Sequence, residues 1–173
     1  MNIDKSVYVH PTAVITGAVT IGKCSNVWPG AVLRADFNAI TVGEYTTIQD
    51  GAILHPTPVC AVTVGNYVTV SHNAVLHACV VENDVMIGMN ATVLDGAVIG
   101  EGSLVAANAV VLEGTVVPPN SLVVGVPGTV KEGRGRRDAI HANAVLYSKL
   151  AQNYIAGRVT MSPEEIAEAM RSD

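Results

Sequence analysis

The chain has 173 residues, of which 49% are hydrophobic, 14% charged and only 4% aromatic, and its formal net charge is −5. That length suits one domain with at most a small appendage. The negative balance argues against a general nucleic-acid binder, which needs a basic face, and no window of about 18 residues is free of polar groups, as a membrane span requires.

One Phe, one Trp and five Tyr are few for a chain this apolar, so the expected core is thin and filled by aliphatic side chains. Cys24, Cys60 and Cys79 form no CxxC pair and suit a reducing compartment. The start, MNIDKSVYVHPTA, lacks a basic-then-apolar signal segment, and the expectation is a cytoplasmic protein.

Along the chain, aliphatic residues recur every six positions. Val9, Ile15, Ile21, Val27 and Leu33 form a first run; Val42, Ile48 and Leu54 a second; Val64, Val70 and Leu76 a third. A fourth runs through Val81, Ile87, Val93, Ile99, Val105, Val111, Val117 and Val123. Four residues after most of them comes a small side chain, such as Ala13, Ser25, Ala31, Ala52, Ala74, Ala91, Ala97 or Ala109, with Gly, Asn and Asp supplying turns between. A period of six is neither helical nor simple strand alternation. An ordinary β-sandwich would not hold that phase over most of the chain. The pattern predicts a mainly β solenoid of short strands joined at tight corners.

The phase ends near Pro127, and residues 1–130 are expected to form the coil. Residues 131–173 hold a Gly- and Arg-rich linker and then helices packed on the coil, the first over Asp138–Ala156, with Asp138 capping its start and Gly157 its end. A second helix begins at Ser162, where Ser-Pro-Glu-Glu gives an N-cap, a first-turn Pro and a capping-box Glu165. Lys131, Arg134, Arg136 and Arg137 read as a solvated hinge.

The phase breaks three times. Three residues are inserted between Leu33 and Val42, four between Leu54 and Val64, and one is missing between Leu76 and Val81; insertions are expected as loops at corners. Arg34, His55 and His77 directly follow Leu33, Leu54 and Leu76, so with three hexads per coil they stack on one edge, about 4.8 Å apart per coil. One hexad earlier Gln49 stacks with Ser71, and Asp50 with His72. Two polar columns result, one triangle side apart. His55 and His77 can converge on one ion; His72 lies on a different side of the prism and joins them only if another subunit brings it. A closed ring repeats such a contact and suggests a homotrimer with three shared sites. Three neutral imidazoles with an open position suit catalytic zinc, and Fe2+ fits the same donors. Gln49 and Asp50 are neighbours able to orient ligands, and Arg34 and Asp36 can form a charge pair at the subunit contact. His10 and His141 read as ordinary surface or core residues. The cysteines read as wall or core residues, with a role for Cys79 beside His77 left open.

The strings LRAD, IQDGAILH, VSHNAVLH, MIGMNATVLDGAVIG and LVVGVPG closely resemble the γ-class carbonic anhydrase-like proteins. The resemblance implies a left-handed parallel β-helix followed by a C-terminal α-helix, assembled as a homotrimer with Zn2+, or Fe2+ or Co2+, at each subunit interface. It implies His55 and His77 of one chain and His72 of its neighbour as ligands, and Arg34, Asp36, Gln49, Asp50 and Tyr147 as catalytic residues, with Gln49 near the metal's water. The implied activity is reversible hydration of CO2 to bicarbonate by metal-bound hydroxide, a zinc-dependent hydro-lyase reaction. Two departures stand out. Phe37 occupies the position where active members carry a Glu, and the loop PTPVCAV lacks the acids of the longer family loop that holds a proton shuttle. Two alternatives are a non-catalytic or weakly active metal-bearing scaffold and a hexapeptide acyltransferase or thioesterase acting on coenzyme A.

Overall fold

The computed structural model describes residues 1–171. Strands mostly of two or three residues, with the longer Val14–Ile21 and Val32–Val42, wind as a parallel β-solenoid of about seven turns, with two helices at the C-terminal end. Each of its three walls is a ladder of every third hexad. On the first wall Ile15, Leu33, Leu54, Leu76, Val93 and Val111 stand in cross-strand register. The second aligns Ile21, Val42, Val64, Val81, Ile99 and Val117. The third aligns Val9, Val27, Ile48, Val70, Ile87, Val105 and Val123. All of these except Val9 and Ile15 are at most 2% exposed. The hexad phase therefore becomes three inward-facing columns that meet on the coil axis, with Ala31, Ala52, Ala74, Ala91, Ala97 and Ala109 fully buried between them.

Among the described residues no aromatic side chain enters that interior. Tyr8, Trp28 and Tyr154 form a cluster with ring centroids 5.1–5.4 Å apart, and Tyr147 adds an edge contact to Trp28 at 6.0 Å. These rings fill the seam between the third wall and the long helix, where there is room for their area.

The three phase breaks take three different forms. The first is not a corner loop. It lies inside the strand Val32–Val42, where one residue between Gly17 and Val19 faces the four residues between Ala35 and Ile40. Asp36, Phe37, Asn38 and Ala39 thus swell out of a continuous strand as a bulge. The second insertion is a true loop between the strands Ile53–His55 and Val62–Val64. The deletion is a tight corner made by Ala78 at φ 46°. The coil's last parallel strand, Leu122–Val124, folds back antiparallel on Thr129–Lys131, which covers the final edge of the third wall.

Helix α1 spans Arg137–Ile155 and α2 spans Pro163–Ala169. The first begins one residue before the predicted start, and Asp138 is not its cap. The N-cap is Arg136, which makes no side-chain cap bond, and Asp138 sits in the first turn, where its charge suits the helix dipole. The earlier start carries Arg137 back to the coil, where it pairs with Asp84 at 3.0 Å and Glu101 at 2.7 Å. Arg137 is thus an anchor, not part of a solvated hinge. His141 joins it, with Nδ1 2.7 Å from Asp84 and its ring stacked 4.0 Å from Tyr67. Next along α1, Asn143 donates to Thr69 Oγ1 at 2.9 Å, and Gln152 to the Ser6 carbonyl at 2.9 Å. The helix therefore runs back along the third wall toward the N-terminus and ends at Gly157, φ 78°, as expected. Ser162 and Glu165 form the predicted reciprocal capping box of α2. Among the described residues no helix is long and apolar enough to cross a membrane.

Candidate metal centre

On the first wall Leu54 and Leu76 point inward, so alternation turns the next residues, His55 and His77, outward. The two histidines are register partners on adjacent coils. His55 Nδ1 faces His77 Nε2 at 3.2 Å. Each ring is held at its other nitrogen: His55 Nε2 lies 3.0 Å from Asp36 Oδ1, and His77 Nδ1 is bonded to Asp95. Arg34, one coil below His55, pairs with Asp36. Arg34, Asp36, His55, His77 and Asp95 thus form one connected row up the coil edge.

Partial desolvation raises the Asp36 carboxyl, but the hydrogen bonds from Arg34 and His55 outweigh it and hold the group below the ordinary carboxylate value. Phe37, at the tip of the bulge, places its ring edge-on to His55 at 5.7 Å and is otherwise 61% exposed.

The second column stands on the corner after the third wall. Gln49 follows the strand Thr47–Ile48 and is buried. Asp50 and His72, one coil apart, meet at 3.0 Å between Oδ2 and Nδ1. Tyr147 reaches this column from α1: burial first, and then the nearby Asp50 charge, push its hydroxyl above the usual tyrosine value. The predicted residues therefore fall into two groups, Arg34, Asp36, His55 and His77 on one edge, and Gln49, Asp50, His72 and Tyr147 on another.

Two nitrogens bound to a tetrahedral zinc at about 2.0–2.1 Å lie about 3.4 Å apart, so the His55–His77 spacing fits adjacent ligands of one ion. Among the described residues no group of three His, Cys, Asp or Glu side chains converges to hold a metal. One chain brings two imidazoles together, and His72 faces a different edge. Cys79 takes no part. It is 1% exposed and packs in the coil interior, away from the outward histidines, and burial, followed by the Asp95 charge, pushes its thiol up to about 12. The Pro56–Ala61 loop holds no acid or base; it is closed by Thr57 and Cys60 bonding to each other at 3.0 and 3.1 Å.

Two residues escaped the sequence reading. Asp95 lies two residues after Val93, one coil above His77; the column position that matches His77 there is Leu94, so the period does not point to Asp95. Asp84 holds α1 through Arg137 and His141, a contact no periodicity signals.

Comparison with known proteins matches residues 78–113 to the bacterial transferase hexapeptide family (six repeats). A probable carbonic anhydrase of Methanocaldococcus jannaschii is 44% identical over 152 residues, covering 87% of this chain and 96% of that protein. The mitochondrial γ carbonic anhydrase 2 of Arabidopsis thaliana is 40% identical over 100 residues, which are 54% of this chain and 36% of the plant protein. A solved Bacillus cereus gene product, provisionally named an acetyltransferase, is 32% identical with a TM-score of 0.86 over 91% of this chain and 92% of its own. The chain spans nearly all of the archaeal relative but about a third of the plant one. By its outward histidine pair, its coil and this full-length archaeal likeness, the chain belongs to the γ-class carbonic anhydrase-like family of hexapeptide-repeat proteins.

Proposed function

We propose that the protein is a metal-dependent hydro-lyase of the γ carbonic anhydrase type, interconverting CO2 and bicarbonate at sites shared between neighbouring chains of a homotrimer. The observation that carries this reading is the His55–His77 pair, two imidazole nitrogens 3.2 Å apart with each ring fixed by a carboxylate. His55 and His77 of one subunit and the partner subunit's His72 would hold Zn2+, the donors fitting Fe2+ or Co2+ as well. Zinc, when bound, supplies a Lewis acid that lowers the pKa of a ligated water toward neutrality.

This chain's residues supply the rest. Asp36 fixes the His55 ring and is itself neutralised by Arg34. Asp50 lies 3.0 Å from the Nδ1 side of His72, which leaves Nε2 for the neighbouring chain's pair. Gln49, a buried amide beside Asp50, is placed to orient a water by hydrogen bonding. Tyr147, kept protonated by burial, can donate a hydrogen bond into the same column.

The first wall favours a trimer contact. Outside its inward column runs a second apolar column, Val14, Val32, Ile53 and Val75, in which Val14 is 48% and Ile53 42% exposed. Free cysteines at all three positions fit a reducing compartment, and we place the enzyme in the cytoplasm.

Stopped-flow CO2 hydration on protein of known metal content tests the reading. Hydration well above background that rises with Zn2+ or Fe2+ occupancy is expected. Background rates at full occupancy would leave a metal-bearing scaffold, the outcome favoured by the loop without acids. The likeness to the Bacillus cereus structure favours a second reading, acyl transfer to or from coenzyme A; saturable coenzyme A binding with no metal-dependent hydration would establish that instead.

A further inference from the structure

We propose that Asp95 is a positioning residue for this centre, its carboxylate accepting the Nδ1–H of His77 and so fixing the tautomer that turns the Nε2 lone pair toward His55. The inference rests on the metal-centre reading above and goes beyond it by naming a group outside the ligand set that makes His77 fit to bind.

A neutral imidazole carries one proton, on either nitrogen. On the His55 side Asp36 takes the Nε2–H, so the Nδ1 lone pair faces His77. If His77 carried its proton on Nε2, that N–H would donate across the 3.2 Å gap to His55 and close the ligand position. Its Nδ1 lone pair would then point at the Asp95 carboxylate, acceptor against acceptor. The Asp95 bond forbids this arrangement. Two carboxylates at opposite ends of the pair therefore leave two lone pairs confronting each other, an arrangement that a cation relieves. Second partners of this kind set ring orientation and ligand basicity at metal sites.

The carboxylate is aimed, not incidental. Asp95 sits at the corner between the strands Thr92–Val93 and Val98–Ile99. The next residue, Gly96, adopts φ 67°, and its N–H donates to the Ala78 carbonyl at 2.8 Å, which pins this corner onto the one that follows His77. The same corner-to-corner bond recurs one coil up, from the Gly114 N–H to the Asp95 carbonyl at 2.8 Å, so the corner carrying Asp95 is fixed on both sides. A corner aspartate with a purely local role bonds backbone two residues on, as Asp4 does with the Ser6 N–H at 2.9 Å. Among the described residues the Asp95 carboxylate makes no such bond and pairs with no Lys or Arg; its one partner is His77.

The test uses metal-free protein first. Long-range 1H–15N NMR at about pH 8, above the ordinary imidazole pKa, is expected to show His77 protonated on Nδ1 in the wild type. In Asp95→Ala the Nε2–H form should appear. Zn2+ and Co2+ affinity, measured by competition with a chromogenic chelator, should fall about 10- to 100-fold. Asp95→Asn, whose amide oxygen still accepts from Nδ1–H, should fall between the two and guards against a misfolded alanine variant. A wild-type His77 protonated on Nε2, or an Asp95→Ala protein with unchanged tautomer and affinity, would overturn the assignment. Should the wild type take up no metal, the proposed function fails, and the tautomers of the metal-free proteins still decide the role of Asp95.

Discussion

The proposed division of three imidazoles between two chains has a consequence that a self-contained site would not share. His72→Ala and His77→Ala each leave two imidazoles at every site of a homotrimer. In a ring where each site joins the His55/His77 pair of one chain to His72 of the next, any mixed trimer has one junction at which an intact pair meets an intact His72. This is so whichever variant is in the majority. Random assembly from equal amounts makes about three-quarters of the trimers mixed, each with one of three sites restored, so about a quarter of all sites regain three ligands. Both side chains are only part-buried, His72 38% and His77 35% exposed, so neither change opens a core cavity. The variants would be made with distinguishable masses and co-refolded, native mass spectrometry would verify the mixture, and tightly held Zn2+ would be counted after a chelator wash. Near-zero metal in each variant alone and about one quarter of the wild-type content in the mixture is the expected result. Verified mixed trimers with no recovery, or full retention by His72→Ala alone, would refute the shared site.

Two further outcomes follow from the fold. Leu76 is fully buried between Leu54 and Val93 in the first-wall column, and Leu76→Ala should destabilise the protein by about 3–5 kcal/mol in urea unfolding followed by circular dichroism; a loss under about 1 kcal/mol would mean that the column collapses around the gap. At α2, the hydrogen bond from the Ser162 backbone N–H, aided by Arg158, lowers the Glu165 pKa from 4.5. A depressed folded value stabilises above the unfolded pKa and loses that contribution as pH falls through the folded one. The Ser162 amide should therefore lose hydrogen-exchange protection relative to Glu165→Gln as the solution drops below about pH 4, and equal acid sensitivity in both proteins would exclude the carboxylate as the cause.

The coil was legible because its interior is one side chain wide from each wall. A position such as Ile48 or Val105 has no alternative way to be buried, so every hexad must carry an aliphatic residue there, and the phase survives in the sequence. The two polar columns were legible for the same reason, since Leu54–His55 and Leu76–His77 repeat the same pair in register. Legibility failed where contacts leave the period. Asp95 reaches His77 from the corner of the next coil, one residue beyond the column position held by Leu94, so the repeated Leu–His spacing passes over it. Asp84 and His141 are 57 positions apart and meet through the docking of α1, which the coil's periodicity does not encode. The Leu33–Val42 insertion gave its length but not its form, because Asp36, Phe37, Asn38 and Ala39 suit a bulge as well as a corner.

The same thinness that simplifies the core constrains the site. A parallel wall places equivalent side chains of successive coils about 4.8 Å apart, and His55 and His77 show how easily two donors then meet. A third donor from the next coil of that column would continue a straight row, and that position holds Leu94, with Asp95 one residue on serving as a partner to His77 and not as a ligand. A donor from the neighbouring wall, such as His72, projects past a convex corner in another direction. A triangular coil has no concave surface of its own on which three ligands could surround an ion. Completing such a centre calls for the edge of one coil to meet the wall of another, and we propose that the apolar column Val14, Val32, Ile53, Val75 beside the histidine pair is the face so covered.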